Sequence, residues 1–354
     1  MSTIYVSEQG AVISKTSKRI IISKDSAVIL EIPIFKVERI FIFGNVQLTT
    51  QAMNFLLENN IDVSFFTMKG KCNGRLAAIK SKNIFLRLAQ YERYLDKEFQ
   101  INLAKKIVEI KLSNEIGLIY SFARNYGVSR FKDILIAIQK CKELLKNKTT
   151  INSVMGIEGI AASYFFKAFK MMIRDENLVF NFRQKNPSID PINSLLSFGY
   201  TLVTNEILSV LIGQGFDPYI GFLHGINYGR PSLALDVLEE FRSDIDGFTL
   251  KLLNKSILKK DDFILTPDGT FLKPDAMKKY FLHYDKLMSK TDSSDNKTSV
   301  NANDDLKNTK NTNSQAGLKV NLRENSKVKS KRLYIKEKVN MLRNSIIYKT
   351  EYNN

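Results

Sequence analysis

Through roughly the first 80 positions, apolar residues alternate with polar ones in short runs separated by turn residues, the period-two signature of half-buried strands. Ile20–Ile22, Val28–Ile32 and Arg39–Phe43 are the clearest strands predicted there. LTTQAMNFLLENN then shifts to helical spacing, with Thr49 or Thr50 as the cap, because a hydroxyl can accept from the first free backbone N–H groups. IDVSFFT returns to strand character, and the glycine-punctuated KGKCNGRL enters a further strand.

From Asn83 the period changes. FLRLAQYERYLDKEFQINLAKKIVEIKLSNEIGLIYSFAR places apolar residues three and four apart and contains no glycine before Gly117. Similar patterns cover Arg130–Lys146, Ile160–Met172, Ile192–Gly213 and Leu233–Arg242. Pro187, Pro191, Pro218 and Pro231 fall between these patterns, where the missing N–H does no harm. The pattern predicts an α+β chain in two parts: a β-rich domain over 1–82 and an all-α domain over 83–288.

Residues 289–331 break the pattern. Ser, Asn, Asp, Lys and Thr dominate, and no aromatic residue occurs between Tyr284 and Tyr334. Too little apolar surface is available to offset the entropy of ordering, so the segment is expected to be disordered. Over 332–354 a last amphipathic stretch, Leu333–Ile347, is expected to form a helix that folds back on the domain, followed by a tail.

Composition narrows the partners. The chain has 354 residues, 44% of them hydrophobic, enough for packed cores, and a formal net charge of +17. Such a charge favours a polyanion, most often nucleic acid and less often an anionic membrane surface; abundant lysine in the composition as a whole is the alternative source. Cys72 and Cys141 stand far apart with no CxxC pair, against a zinc ribbon and in keeping with a reducing cytosol. The start, MSTIYVSEQG, lacks a basic segment followed by an apolar run, so no signal peptide is expected. No run approaches 18 apolar residues, and no membrane span is expected.

The densest candidate chemistry lies in GFLHGINYGRPSLALDVLEEFRS, Gly221 to Ser243. His224, one of two histidines, precedes an acidic cluster of Asp236, Glu239 and Glu240. On a helix opened by Pro231, Asp236 and Glu239 fall within about 60° of each other. A histidine and carboxylates at one point are the minimum for a divalent-metal site. Each residue also has an ordinary reading. A lone histidine is commonly structural, acidic residues commonly form a solvated face, and Arg242 can pair with Glu239 at i, i+3. Glu158, between Gly156 and Gly159, is expected at the start of an apolar helix, where the dipole alone would favour a carboxylate. GxxxxGK[ST], GxSxG and HExxH are absent, against a P-loop, a nucleophile elbow and a zincin.

Three segments in order carry a resemblance: GIEGIAASYF at Gly156–Phe165, DPINSLLSFGYTLV at Asp190–Val203, and GFLHGINYGRPSLALDVLEEFR. With IYVSEQGAVIS, the strand region and LRLAQY at Leu86–Tyr91, they resemble the CRISPR-associated integrase family, the nuclease of spacer acquisition. The resemblance runs from about residue 3 to residue 285 and resumes weakly near Arg332. It departs from the family at Ser113–Glu115, SNE, where many members carry Asn-Gln.

The resemblance implies an N-terminal β-sandwich-like domain before the helical catalytic domain. It implies metal ligands, and with them catalysis, at Glu158, His224 and Glu239, with Asp236 as an auxiliary acid and Mg²⁺ or Mn²⁺ as the ion. The implied reaction joins a DNA 3′-hydroxyl to a phosphodiester of the CRISPR repeat. Implied partners are double-stranded DNA, a second copy of the chain and a small ferredoxin-like companion protein. Arg75, Arg87, Arg183, Lys185, Arg230 and Arg242, in or near the matching segments, are candidate phosphate contacts, and each can equally be a solvated base. Tyr164 and Tyr200 are candidates to approach the phosphate, with core packing as their other role. A nuclease cutting branched or single-stranded DNA without joining it would share this site; a non-catalytic DNA-binding scaffold would not need it.

Overall fold

The computed structural model describes residues 2–78, 83–185, 187–289 and 330–352. The N-terminal part comprises β1 (Ser2–Val6), β2 (Val12–Thr16), β3 (Arg19–Lys24), β4 (Ala27–Pro33), β5 (Val37–Phe43), β6 (Gln47–Leu48), α1 (Thr50–Glu58), β7 (Asp62–Phe66) and β8 (Cys72–Leu76). They make two four-stranded sheets, ordered β1-β5-β7-β8 and β4-β3-β2-β6. Thr49 caps α1, accepting from the Ala52 N–H at 3.3 Å.

Strand β5 joins the two halves of the molecule. It runs parallel to both β1 and β7, and VERIFIF is buried at all but one position. Parallel strands covered on both faces read this way. Ile40 and Ile42 join Ile4, Ile13, Ile20 and Val63 in a core shared by the two sheets. Phe41 and Phe43, with Phe66 of β7, belong instead to the large core of the helical region. The expected boundary at 82/83 follows residues 79–82, outside the described residues. On either side of it, sheet and helices pack against each other.

The helices are α2 (Ile84–Leu95), α3 (Lys97–Tyr126), α4 (Lys132–Leu145), α5 (Ile151–Met172), α6 (Pro191–Gln214), α7 (Ser232–Leu238), α8 (Arg242–Asn254), α9 (Pro274–Ser289) and α10 (Lys331–Tyr348). The long run after Asn83 is two helices, because the Asp96 side chain caps α3 by accepting from the Phe99 N–H at 3.1 Å. A 3-10 turn, Glu239–Phe241, links α7 to α8.

Two expectations need correction. The helical region is not all-α: β9 (Phe263–Thr266) and β10 (Gly269–Leu272) form an antiparallel hairpin. Pro267-Asp268-Gly269 turns it, with Gly269 at φ 128°, and the Thr270 N–H donates to the Ser188 carbonyl at 2.7 Å. Second, Glu158 does not start its helix. Thr150 caps α5, accepting from the Ser153 N–H at 3.2 Å, so Gly156 and Gly159 lie inside the helix. Separately, α6 is long and apolar enough, by length and composition alone, to cross a membrane, a test that buried core helices also pass. Here it is a core helix, with buried Leu195, Leu202 and Ile207 on its sides and Glu206 held by Arg39 at 2.8 Å and by Arg332 at 2.9 Å.

Of the expected disordered segment, residues 290–329 lie outside the described residues; at its edges Ser289 closes α9 and Lys331 opens α10. The C-terminal helix is present, capped by Ser330, which accepts from the Leu333 N–H at 3.3 Å.

Candidate functional site

One open cavity of about 520 Å³ is lined by α3, α5, the segment 181–185, Tyr200 of α6, the loop through His224, and the junction of α7 with α8. Gly159, Ala162 and Ser163 leave room on the α5 side, and a Cβ added at Gly159 would meet open space.

The His224 loop is held by backbone bonds to one carboxylate. Asp236, fully buried in α7, accepts from the N–H groups of Phe222 at 2.5 Å, Leu223 at 3.0 Å and His224 at 3.0 Å. It also meets the His224 Nδ1 at 2.8 Å. An ionised carboxylate only accepts, so Nδ1 donates and the Nε2 lone pair is left for another partner. Gly221 makes this approach possible: a Cβ there would stand 2.7 Å from the Ser232 backbone and 2.9 Å from the Asp236 carboxylate. Gln90 of α2 fastens the far end of the loop, donating to the carbonyls of Asp217 at 2.9 Å and Ile220 at 3.1 Å.

Nε2 of His224 faces Glu239 Oε1 at 3.7 Å. Glu239 Oε2 is paired with Lys111 at 2.8 Å and accepts from Arg242 Nε at 2.8 Å. Burial pushes the Glu239 carboxyl up, but Arg242 and Lys111 outweigh it and hold the group well below the usual carboxylate range. Glu158 reaches the cluster from α5 through Lys111, whose ammonium contacts both carboxylates. Burial opposes the charge on Lys111, and the carboxylates of Glu239, Glu158 and Glu115 more than offset it. Among the described residues, no three His, Cys, Asp or Glu side chains enclose a cation position by themselves; His224 and Glu239 adjoin, and Glu158 joins them only through the lysine. The donor chemistry suits a divalent ion: one imidazole with its other nitrogen fixed, two carboxylates, and a monovalent cation already seated between them.

A second pair of acids lines the same cavity. Tyr200 donates to Asp246, and burial, the largest influence, pushes the Asp246 carboxyl up to about 7. Burial pushes Glu115 up to about 8, with Asp246 and Glu158 adding to the rise and Lys111 opposing it. The Tyr200 ring lies beneath the guanidinium of Arg242, 4.7 Å from its centroid.

With this geometry in place, the comparisons decide the family. The model of the family described as CRISPR associated protein Cas1 matches residues 4–286. The chain belongs to the Cas1 family. It is 34% identical over 285 residues to CRISPR-associated endonuclease Cas1 3 of Thermus thermophilus, covering 79% of this chain and 82% of that one. It is 33% identical over 292 residues to CRISPR-associated endonuclease Cas1 1 of Chlorobaculum tepidum, covering 80% and 85%. In fold, it is similar to a Cas1 protein from Thermotoga maritima, with a TM-score of 0.78 at 22% identity over 100% of this chain and 99% of that one. It is also similar to a casposase bound to integration product, with a TM-score of 0.80 at 22% identity over 99% and 92%.

Within this Cas1 chain, the basic candidates divide. Arg183, Lys185 and Arg242 line the cavity. Arg230 braces the histidine loop, donating to the His224 carbonyl at 2.5 Å. Arg75 lies outside the cavity wall, paired with Asp62 at 3.0 Å, and so does Arg87, which donates to the Gly215 carbonyl at 3.2 Å. Tyr200 is in the wall; Tyr164 is not, and Lys167 stacks on its ring at 5.2 Å.

Sequence reasoning missed Lys111, Glu115, Asp246 and Gln90. A signal existed for the first two. Ala104, Val108, Lys111, Glu115 and Ile119 share one stripe of α3 at four- and three-residue spacing, so two charges occupy positions that the period assigns to the core. Such charges must be paired.

Proposed function

We propose that the chain is a metal-dependent DNA integrase and endonuclease that joins the 3′-hydroxyl ends of short DNA fragments to a CRISPR repeat by transesterification. The observation that carries the proposal is the convergence of Glu158, His224 and Glu239 on one basic-rimmed cavity, with His224 locked by Asp236. The names of the endonuclease relatives and the casposase fold neighbour support it.

Glu158, Glu239 and the Nε2 of His224 would hold the ion. Bound there, Mg²⁺ or Mn²⁺ supplies charge neutralisation on the phosphate oxygens and a more acidic nucleophile. The imidazole donor favours Mn²⁺, since Mg²⁺ prefers oxygen and water. Asp236 keeps the His224 proton on Nδ1, so the ring offers a lone pair to the site. Arg242 and Lys111 keep Glu239 ionised. Lys167, Lys170 and Lys185 at the rim draw the phosphodiester backbone to the opening. Asp246 and Tyr200 line the same cavity.

The protein is proposed to work as a homodimer with a small ferredoxin-like companion; a companion protein is in keeping with the Cas1–Cas2 assembly that the Cas6-RT-Cas1–Cas2 complex is named for. That structure is similar to this chain at a TM-score of 0.76 and 19% identity over 99% of this chain and 35% of that chain.

The test is strand transfer of a labelled duplex into a supercoiled repeat-bearing plasmid with Mn²⁺ or Mg²⁺. Glu158→Ala, His224→Ala and Glu239→Ala each abolish transfer and leave DNA binding nearly intact. Full activity of His224→Ala, or of the wild type in EDTA, refutes the metal site. Cleavage without joining by the wild type would identify a nuclease acting on branched or single-stranded DNA instead.

A further inference from the structure

Lys111 occupies an unusual position. It lies on α3, far from either motif that carries the acidic residues, and its side chain is 5% exposed. Its ammonium contacts Glu158 and sits 2.8 Å from Glu239 Oε2. A divalent ion held by both carboxylates would need the space this nitrogen fills. One cation must leave for the other to enter, because two positive charges on the same oxygens repel at short range.

The same helix offers somewhere to go. Glu115 stands one turn along α3 at i+4, the spacing at which side chains on a helix become neighbours. It is 2% exposed, and its Oε2 is buried without a hydrogen-bond partner. A buried carboxylate oxygen lacking a donor is costly unless another state of the protein supplies one. The rotatable four-carbon stem of lysine can swing between two acceptors on its own helix, which a rigid guanidinium fork does less well.

We propose that Lys111 is a resident counter-cation of the carboxylate pair: its ammonium holds Glu158 and Glu239 together before metal binding, and passes to Glu115 when a divalent ion takes its place. The inference rests on the metal reading above. In the metal-free protein, Lys111 keeps the buried Glu239 and the half-buried Glu158 from repelling each other. In the loaded protein it neutralises Glu115 close to the cavity. In the exchange one ammonium changes partners, and the proton that burial holds on Glu115 passes to solvent as the ammonium arrives.

The experiment measures binding, not turnover. Mn²⁺ is titrated into the full-length protein, and free Mn²⁺ is read by electron paramagnetic resonance. Lys111→Met removes the competitor, leaving Glu158 without its ammonium and Glu239 with Arg242 alone, so it binds Mn²⁺ about tenfold tighter or more. Its metal-free melting temperature falls, and Mn²⁺ raises it by more than in the wild type. Glu115→Gln keeps the lysine but removes its second seat, so Mn²⁺ binds several-fold more weakly. Unchanged or weaker Mn²⁺ binding by folded Lys111→Met, while the wild type binds, overturns the counter-cation and spares the metal reading. Wild-type affinity in Glu115→Gln overturns the transfer. Absence of binding in the wild type itself overturns the metal reading and the proposal together.

Discussion

Asp236 grips His224 at two points, accepting from its backbone N–H at 3.0 Å and facing its ring Nδ1 at 2.8 Å. One carboxylate therefore sets both the position and the tautomer of the histidine. Asp236→Asn presents an amide that can turn its NH₂ group to the ring, which favours the wrong tautomer. Metal affinity should fall about 10- to 100-fold, the usual cost of losing such a support. DNA binding should be unaffected. A Mn²⁺ titration equal to the wild type would exclude this role.

Glu115 and Asp246 set a pH dependence. Both are carboxyls raised by burial, to about 8 and about 7. The folded protein therefore keeps protons that the unfolded chain has released at the same pH. Their contribution is fully present below the ordinary carboxylate range and is lost as pH rises through the folded values. Between the two, each group removes about 1.4 kcal/mol of stability per pH unit. Glu115→Gln should flatten the decline. Urea midpoints at pH 5, 7 and 9 check this: the variant should be more stable than the wild type at pH 9. Parallel pH profiles would show that Glu115 does not carry the effect.

Lys167 and Lys170 are exposed neighbours on α5 and line the cavity. If they meet phosphates, each neutralised contact adds close to one unit to the slope of log affinity against log salt. The double variant Lys167→Ala/Lys170→Ala should bind DNA more weakly and lower that slope by about two. Binding isotherms from 50 to 200 mM salt, about the range over which the effect is large, read it directly. An unchanged slope would place the DNA elsewhere.

Glu240, beside the proposed ligand Glu239, faces away from the cavity. It forms an ion pair with Lys338 of α10 at 3.0 Å, and Tyr352 donates to its other oxygen. Lys338→Met leaves a fully buried carboxylate without its cation and should cost about 3–5 kcal/mol. Glu240→Gln/Lys338→Met, which removes both charges, should recover much of that loss. Denaturant unfolding of the single and double variants measures the coupling; additive losses would mean the pair does not act as a unit.

The elements that were legible share one property: their signal is local. The apolar run Arg39–Phe43, the Thr49 cap and the amphipathic Leu333–Ile347 each involve neighbours a few residues apart. The Pro267-Asp268-Gly269 turn was equally local, yet its two four-residue strands are too short to register against the helical background. Glycines misplaced the start of α5, since Gly156 and Gly159 read as punctuation although the Thr150 cap lies upstream. Asp236 and Glu239 stood out because the loop that uses them is close in sequence.

Long-range pairings were not readable. Nothing local to Lys111 names Glu158, 47 residues away, and nothing local to Glu240 names Tyr352, 112 residues away. Hydrophobic period and turn chemistry mark most of the elements, the Gly221–Ser243 stretch draws attention to His224 and its acidic neighbours, and the family resemblance selects Glu158, His224 and Glu239 from among the ordinary readings. Which partner each charge meets follows from how α3, α5, α7 and α10 pack, because a buried charge must find its counter-charge in space, and the chain's order does not encode that neighbour.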